Sequence, residues 1–420
     1  MSANLLIGLA PIVPLFGAVV MGLVRHLPNI RESVTLITAA ALFVLVICIA
    51  PSVLAGARPS LTIFELLPGL TIAFEAEPLG MLFAMVASFL WIPTSIYSIG
   101  YMRTHHQENH TRYYICFALA LSSVIGLAFS ANLVTMFLFY ETLTLSTYPL
   151  VTHTGTTEAK RAGRVYLGLL LGTSIGLQLI AIIGTYTIAG TTDFKPGGIL
   201  AEQAGPGIIA ILFALYAFGI GKAALMPFHS WLPAAMVAPT PVSALIHAVA
   251  VVKGGVFAVL KVVVYVFGLE LMQSSHPGGW LMWLAAFTIL VASLIALTKD
   301  NLKARLAYST VSQLSYIVLG AALASGASVL GAGLHIVTHA FGKITLFFCA
   351  GAIIITTQKR NVSELRGIGR AMPLTMFAFL IGSLSVIGLP PFAGTWSKWY
   401  LAVGAMEANQ VFFVAVIMIS

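Results

Sequence analysis

The sequence predicts an all-α polytopic membrane protein of about 13–14 transmembrane helices. Hydrophobic residues make up 59% of the 420 residues and charged residues only 8%, and the mean hydropathy is +0.99. Apolar runs of about 20 residues, the length that crosses a hydrocarbon core, recur along the chain. The first run, Leu5 to Val24, lacks the flanks of a signal peptide, so we expect it to remain as a span.

Thirteen spans are predicted, and the distribution of Lys and Arg between them supports this count. Connections after even-numbered spans hold only Arg58 and Lys195, whereas connections after odd-numbered spans hold fourteen basic residues. By the positive-inside rule, the N-terminus lies outside the cell (inner) membrane and the basic connections lie inside. The spans cover residues 3–24, 33–54, 78–100, 113–130, 132–151, 164–189, 207–227, 239–267, 279–298, 304–324, 328–356, 373–403 and an incomplete one from about 410 to Ser420. The fourteen basic residues are Arg25, Arg31, Arg103, Arg112, Lys160, Arg161, Arg164, Lys299, Lys303, Arg305, Lys359, Arg360, Arg366 and Arg370.

Two spans contain prolines that interrupt a regular helix. One break lies between Met226 and Pro233, and the other lies between Leu389 and Gly394. Irregular backbone at membrane depth is tolerated only where it is buried in protein or lines a wet cavity. Transporters place ion sites at such breaks, often at matching positions of two repeats.

A weak internal repeat accompanies these breaks. The triplets at 131–133 and 300–302, Ala-Asn-Leu and Asp-Asn-Leu, lie 169 residues apart, and the Pro-Phe pairs at 227–228 and 391–392 lie 164 apart. Five spans separate the matching elements, and an odd number inverts the second unit. We therefore predict helices 1–3 over residues 1–112 and two inverted five-helix repeats over residues 113–267 and 268–420, each with a broken helix.

Five lysines and one acid lie within the apolar spans, where a charge marks a functional site by default. Burial makes an amine easier to deprotonate and a carboxylate easier to protonate, so such groups can exchange protons near neutrality. The alternative is a static ion pair between Glu141 and one lysine that fixes helix packing. Lys261, toward the outer end of its span, is expected to extend its amine to the interface. The other five groups, Glu141, Lys222, Lys253, Lys343 and Lys398, are candidates for a relay.

Histidines extend this set of candidates. His335, His339 and Lys343 are spaced four residues apart, so they line one face of the eleventh helix and are predicted to line a polar channel. His229, between two prolines, is either a relay group or a donor that stabilises the break. His247 precedes Lys253 by six residues, which places them on different faces unless Gly254-Gly255 loosens the helix. A polar stripe on the tenth helix either hydrates the path or binds neighbouring helices: Ser309, Thr310, Ser312, Gln313 and Ser315.

No metal site and no cofactor are predicted. Cys48, Cys116 and Cys349 fall within apolar runs without metal-ligand spacing, as is typical of small buried residues. Glu141 is the only acid placed within a span, so no carboxylate cluster suited to sodium is expected there.

Four segments together resemble a known family. They are Phe139 to Pro149 (FYETLTLSTYP), Lys222 with the following PFHSWLP at 227–233, APTPVSALIH at 238–247 and LAYSTVSQ at 306–313. These segments look like the antiporter-like subunits shared by respiratory complex I, membrane hydrogenases and Mrp multisubunit cation/proton antiporters. Val251 to Lys261, with its Val-Val-Lys-Gly-Gly, is most similar to the Mrp type and, within it, to the D-type antiporter-like subunits.

The resemblance implies about fourteen helices with two inverted repeats, and it implies roles by position. Glu141 and Lys222 would be the paired charges of the first half-channel, and Lys253 would be the central link. His335 and His339 would continue the path, and Lys398 would end the second half-channel.

The resemblance also implies a function: a proton-translocating subunit of a multisubunit sodium (or other monovalent cation)/proton antiporter, assembled with other membrane subunits and free of cofactors. The first alternative is a proton-pumping subunit of a complex I-like (NADH-quinone oxidoreductase) or membrane-bound hydrogenase complex, driven by electron transfer elsewhere. The second is a scaffold subunit with an inactive channel. With a single acid in its spans, this chain is expected to leave cation passage to a partner or an interface.

Overall fold

The computed structural model describes residues 2–67, 69–104 and 109–420, without the side chains of Leu67 and His247. The N-terminal part contains four long helices and a two-stranded antiparallel hairpin that hydropathy does not predict. Its elements are α1 Ala3–Leu23, α2 Pro28–Leu54, β1 Ser60–Leu67, β2 Leu70–Glu75, α3 Pro78–Thr104 and α4 His110–Ala128.

The middle of the chain alternates helices with single turns of other geometry. Its helices are α5 Leu133–Val151, α6 Thr157–Thr173, α7 Leu179–Ala189, α8 Pro206–Gly219, α9 Trp231–Ala234, α10 Thr240–Ala244, α11 Val251–Val262 and α12 Leu269–Ser275. A π-turn at Ser174–Gln178 joins α6 to α7, and others at Leu245–Val249 and Val263–Phe267 flank α11; 3₁₀ turns lie at Gly221–Ala223 and Ala235–Val237.

The C-terminal part is again mostly long helices. They are α13 Gly279–Thr298, α14 Leu302–Leu323, α15 Gly326–Thr357, α16 Ile368–Ala371, α17 Pro373–Ile387, α18 Gly394–Glu407 and α19 Val411–Ile419, with a 3₁₀ turn at Val362–Glu364. Each predicted span therefore corresponds to a helix or to a helix pair at a break, and the predicted fold class is confirmed.

Within the described residues, eight spans are long and apolar enough to cross a membrane on their own, and a ninth is counted when α11 and α12, bent by 82°, form one span. The remaining predicted spans are shorter or interrupted. The chain is a multi-pass membrane protein, and many large apolar side chains, such as Phe16, Ile37 and Leu297, are exposed, as lipid contact favours.

The two repeats share their connections in detail. Asn132 and Asn301 cap α5 and α14, each accepting an N–H bond three residues later. Each capping asparagine also forms a β-bridge with the segment that follows the next helix of its repeat. The bonds that flank the two bridges match in pattern: Leu133 N to Thr192 O (2.9 Å), Phe194 N to Ala131 O (3.0 Å), Leu302 N to Arg360 O (2.9 Å) and Val362 N to Asp300 O (2.8 Å). The triplet repeat in the sequence is therefore a repeat of structure.

Contacts at the two ends of the bundle agree with alternating spans. At the charge-rich end, defined by the fourteen basic residues, Arg103 at the end of α3 is hydrogen-bonded to Glu32 at the start of α2, and Arg112 donates to the His153 carbonyl at 3.0 Å. At the opposite, charge-poor end, the Glu75 N–H donates to the Phe129 carbonyl at 2.7 Å. The hairpin therefore covers the connection between α4 and α5 at the charge-poor end.

Candidate functional site

Lys222 lies at the first break, where α8 stops at Gly219 and the chain turns through a 3₁₀ turn. Its amine donates to the Tyr140 carbonyl on α5 at 2.7 Å and lies 3.1 Å from the centroid of the Tyr140 ring. The side chain is 0% exposed. Carbonyl bonding and cation–π attraction, the latter worth about 2 kcal/mol when desolvated, hold the charge without a carboxylate partner.

Close packing fixes this break. The Trp231 indole donates to the Gly221 carbonyl at 3.0 Å. A Cβ at Gly255 would lie 2.3 Å from the Lys222 carbonyl carbon, so only glycine lets α11 approach the break this closely. The backbone that carries Lys222 is therefore held from both sides.

Glu141 follows Tyr140 on α5, and the predicted paired charges do not touch. No ion pair within 4.0 Å joins Glu141 to Lys222 in the described part of the chain, and both carboxylate oxygens are buried without a hydrogen-bond partner. An unpaired buried charge costs roughly several kcal/mol. The static ion pair is thus not the arrangement seen; Glu141 is an open acceptor beside an amine that is bonded elsewhere.

Lys253 and His339 form the centre of the site. The Lys253 amine is hydrogen-bonded to the Nδ1 atom of His339, and Lys253 is 0% exposed. The Nε2 atom of His339 is buried without a partner. The two rings of His339 and His335 lie nearly parallel, at 9°, with centroids 5.8 Å apart. The spacing of four residues has placed both histidines on the inner face of α15, as predicted.

His335 connects the centre to the second break. Its Nε2 atom lies 3.0 Å from the Gln313 side-chain oxygen, and its Nδ1 atom lies 2.9 Å from the Ser397 hydroxyl. The Ser397 hydroxyl is also 3.0 Å from the Gly394 carbonyl. A hydroxyl has one proton to donate. Ser397 therefore donates to the Nδ1 atom of His335 when that nitrogen carries no proton. When Nδ1 is protonated, Ser397 accepts from it and donates to the Gly394 carbonyl instead.

Lys398 is half-buried at the second break, between α17 and α18. Its amine donates to the Ile387 carbonyl at 2.9 Å and lies 4.8 Å from the centroid of the Tyr316 ring. Gly388, with φ at +85°, supplies the left-handed residue that ends α17. Lys398 directly follows Ser397, which bonds His335, so Lys398 lies beside the end of the histidine series.

Lys343 and the polar stripe of α14 face each other. The Lys343 amine donates to the Ser309 hydroxyl at 2.7 Å, and Gln313 bonds His335. Ser312 accepts from Ser293 on α13 at 2.9 Å. Three members of the stripe therefore bind neighbouring helices, two of them at candidate relay groups, while Thr310 and Ser315 donate to carbonyls of α14 itself.

His229 has no described contact with this series. His229 is half-buried, 6.1 Å from the Tyr308 ring between centroids, and its Nδ1 atom has no partner in the described region. The side chain of His247 lies outside the described residues. The helix is irregular before the glycine pair, at the π-turn Leu245–Val249, and Gly254-Gly255 lie within the regular α11.

The prediction for Lys261 is wrong. Lys261 is 0% exposed and forms an ion pair with Glu77 at 3.3 Å between Nζ and Oε1. Two further acids are buried although they lie just outside the predicted spans: Glu77, directly before α3, and Glu32, near the start of α2. Glu77 lies between two apolar runs, so hydropathy assigns it to a connection.

The candidate site therefore consists of two charged residues at the first break and a series of contacting polar residues that leads to the second break. Glu141 and Lys222 lie at the first break. Across the Gly255 contact, α11 carries Lys253, from which bonded or stacked groups continue to the second break. Ser397 is a functional candidate that the sequence does not identify, because its role depends on how α15 and α18 pack, whereas Gln313 belongs to the predicted polar stripe.

Comparison with known proteins gives one family. The family described as NADH:quinone oxidoreductase/Mrp antiporter, TM, matches residues 130–420. NADH-quinone oxidoreductase subunit N of Desulforudis audaxviator is 32% identical over 429 residues, which cover 100% of this chain and 84% of the relative. NAD(P)H-quinone oxidoreductase chain 5 of Synechocystis sp. is 30% identical over 440 residues, covering 96% of this chain but only 62% of the relative.

A solved structure with a similar fold belongs to a different kind of assembly. A chain of the Mrp complex from Dietzia sp. DQ12-45-1b superposes with a TM-score of 0.89 at 24% sequence identity, over 100% of this chain and 77% of that chain. At this identity the likeness concerns the fold.

Proposed function

Because the chain belongs to the NADH:quinone oxidoreductase/Mrp antiporter transmembrane family, we propose that it translocates protons as a subunit of a multisubunit sodium (or other monovalent cation)/proton antiporter. The observation that carries the proposal is the buried contact series from Lys253 through His339 and His335 to Ser397, beside Lys398. A row of titratable groups in contact, shielded from water, supports proton exchange better than it supports packing.

In this proposal the first break works as a switch. Lys222 leaves the Tyr140 carbonyl and pairs with the unbonded Glu141 carboxylate when a proton arrives or departs. The Lys222 amine produces a different electrostatic potential at neighbouring groups in each of these two positions. Its movement therefore changes how readily Lys253, on the other side of the Gly255 contact, holds a proton.

In the second half, the histidines carry the proton. A neutral imidazole accepts on one nitrogen and releases from the other. His335 is bonded at both nitrogens, and its protonation is coupled to the direction of the Ser397 hydroxyl. Lys398, half-exposed at the break, would exchange the proton with water.

A second candidate is a proton-pumping subunit of a complex I-like or membrane-bound hydrogenase assembly. The names of the two sequence relatives, both quinone oxidoreductase subunits at 30% and 32% identity, favour it. The proton route would be the same, with electron transfer in other subunits. In both cases we propose other membrane subunits as partners, a cell (inner) membrane location with the N-terminus outside, and a cation route in a partner or at an interface.

Proton exchange in membrane vesicles that contain the whole complex tests the proposal. The parent is compared with Lys222→Ala and Glu141→Ala at equal assembled levels, with Lys195→Ala, an exposed loop lysine, as the matched control. We expect sodium-driven proton movement in the parent and the control and its loss in both variants. Transport that survives both substitutions would make this chain a scaffold, and proton movement only with an electron donor would establish the second candidate.

A further inference from the structure

We propose that Lys261, Glu77 and Tyr265 form a second proton-exchange site, which connects Lys253 with the charge-poor surface along α11. This inference rests on the proposed function, since it adds an end to the same route. None of the three residues belongs to the series from Glu141 to Lys398.

The core of this site is a fully buried amine with several acceptors. The Lys261 amine donates to the Ser130 carbonyl at 2.6 Å and lies 3.3 Å from the Glu77 carboxylate. It faces the Phe194 ring at 4.7 Å. The amine is held most closely by the backbone carbonyl and more loosely by the carboxylate, so it can lose a proton and keep its position.

Glu77 has donors on every side. Its oxygens accept from the Leu79 and Gly80 N–H groups at 2.8 and 2.9 Å, and the Tyr265 hydroxyl donates to Oε2 at 2.8 Å. Glu77 is therefore a fixed carboxylate that contacts an amine and a phenol at once.

Tyr265 lies between Glu77 and the charge-poor surface. It is almost completely buried, and the Arg58 guanidinium lies 5.9 Å from the centroid of its ring. Arg58 pairs at 3.3 Å with Glu75, and both side chains are partly exposed at the charge-poor end. The charged or titratable groups that face the site are thus Glu77, Tyr265, Glu75 and Arg58, and they form a graded series from buried to exposed.

Lys253 lies inward on the same helix. Eight residues separate it from Lys261, about 12 Å along a regular helix. Phe257 lies midway, with its ring 5.4 Å from the Lys261 amine and 4.9 Å from the Phe83 ring between centroids. The aromatic pair separates the two lysines in this structure, so exchange between them requires Phe257 to turn aside.

A purely structural ion pair is the competing explanation, and two variants distinguish it. Lys261→Arg keeps the positive charge and its pairing but cannot release a proton in a protein. The double variant Glu77→Gln/Lys261→Met removes both charges together, which buried ion pairs often tolerate without loss of stability. The matched control is Arg103→Lys, in the pair with the buried carboxylate of Glu32 at the charge-rich end.

The measurement is proton exchange by the whole complex in vesicles at equal assembled levels, with Lys222→Ala in parallel. We expect transport at background in Lys261→Arg and in the double variant, and parental transport in Arg103→Lys. Parental transport in an assembled Lys261→Arg or in the double variant overturns the inference. If neither assembles, Tyr265→Phe decides: unchanged transport overturns the inference, and slowed transport supports it. Transport that survives Lys222→Ala would instead contradict the proposed function itself.

Discussion

The two repeats carry the same scaffold and different chemistry. Their capped helices and bridged connections match bond for bond, but the residue 169 positions after Glu141 is Thr310, whose hydroxyl donates to the Leu306 carbonyl within its own helix. The first repeat has an acid next to its broken helix, and the second has none at the corresponding place.

The lysines of the two breaks differ as well. Lys222 is fully buried and held by α5, a different helix of the first repeat, whereas Lys398 is half-buried and held by α17, the other half of its own broken helix. Folding constraints fix the connections of a repeat, while charges are free to differ once the backbone is held. In the proposed function, the first half switches an ion pair and the second half passes protons through imidazoles.

The largest expected effect separates Lys222 from Lys398. We expect Lys222→Met to abolish proton exchange, because Lys222 is fully buried and nothing near it in the described structure can replace its amine. We expect Lys398→Met to leave a reduced rate, because Lys398 is half-exposed and water can take the place of its amine. The initial rate of proton movement in vesicles measures both. Lys195→Met, in an exposed loop, controls for the change of net charge. Equal losses in the two variants would mean that the breaks are functionally alike.

Hydropathy and residue spacing predict the spans, the breaks and most of the charged series. The spacing of His335, His339 and Lys343 predicts a shared face because a helix fixes it. What spacing cannot predict is the acceptor of each amine. Lys222 selects the Tyr140 carbonyl over the adjacent Glu141 carboxylate, a choice that depends on a few ångströms of packing at the break.

Glu77 shows a different limit. It stands outside any apolar run, and in the structure it is buried against Lys261 and Tyr265 at the C-terminal end of α11. Lys261 then finds a partner inside the protein rather than at the membrane interface, which reverses the expected direction of its side chain.

A smaller effect compares the stability of the two capping asparagines. The Asn132 side chain is 0% exposed and also donates to the Thr71 carbonyl at 2.9 Å, whereas the Asn301 side chain is exposed and makes only its cap bond within the described residues. We expect Asn132→Ala to cost roughly 2 kcal/mol and Asn301→Ala about 0.5 kcal/mol, since both lose a cap and only the first leaves buried groups unpaired. Thermal unfolding in detergent gives the order. A reversed order would contradict the assignment of the tighter connection to the first repeat.

The smallest effect concerns the residue before the second cap, where Asp300 replaces Ala131 of the first repeat. Asp300 lies outside the spans and accepts from the Ser363 N–H at 2.9 Å and the Ser363 hydroxyl at 2.7 Å. These bonds lower the pKa of Asp300 below its ordinary value of 3.8. A carboxyl whose pKa is lower in the folded state stabilises the protein above its unfolded pKa, and the contribution disappears as the pH falls through the folded value.

We therefore expect the parent to be slightly more stable than Asp300→Asn at pH 7, and this advantage to shrink below about pH 3.8. Thermal midpoints of the two proteins across this pH range give the result, with Ala131→Asn, at the matching position of the first repeat, as a control for the added amide. A pH-independent difference would mean that Asp300 acts through its shape rather than its charge, and the two connections would then be equivalent electrostatically as well as in their backbone bonds.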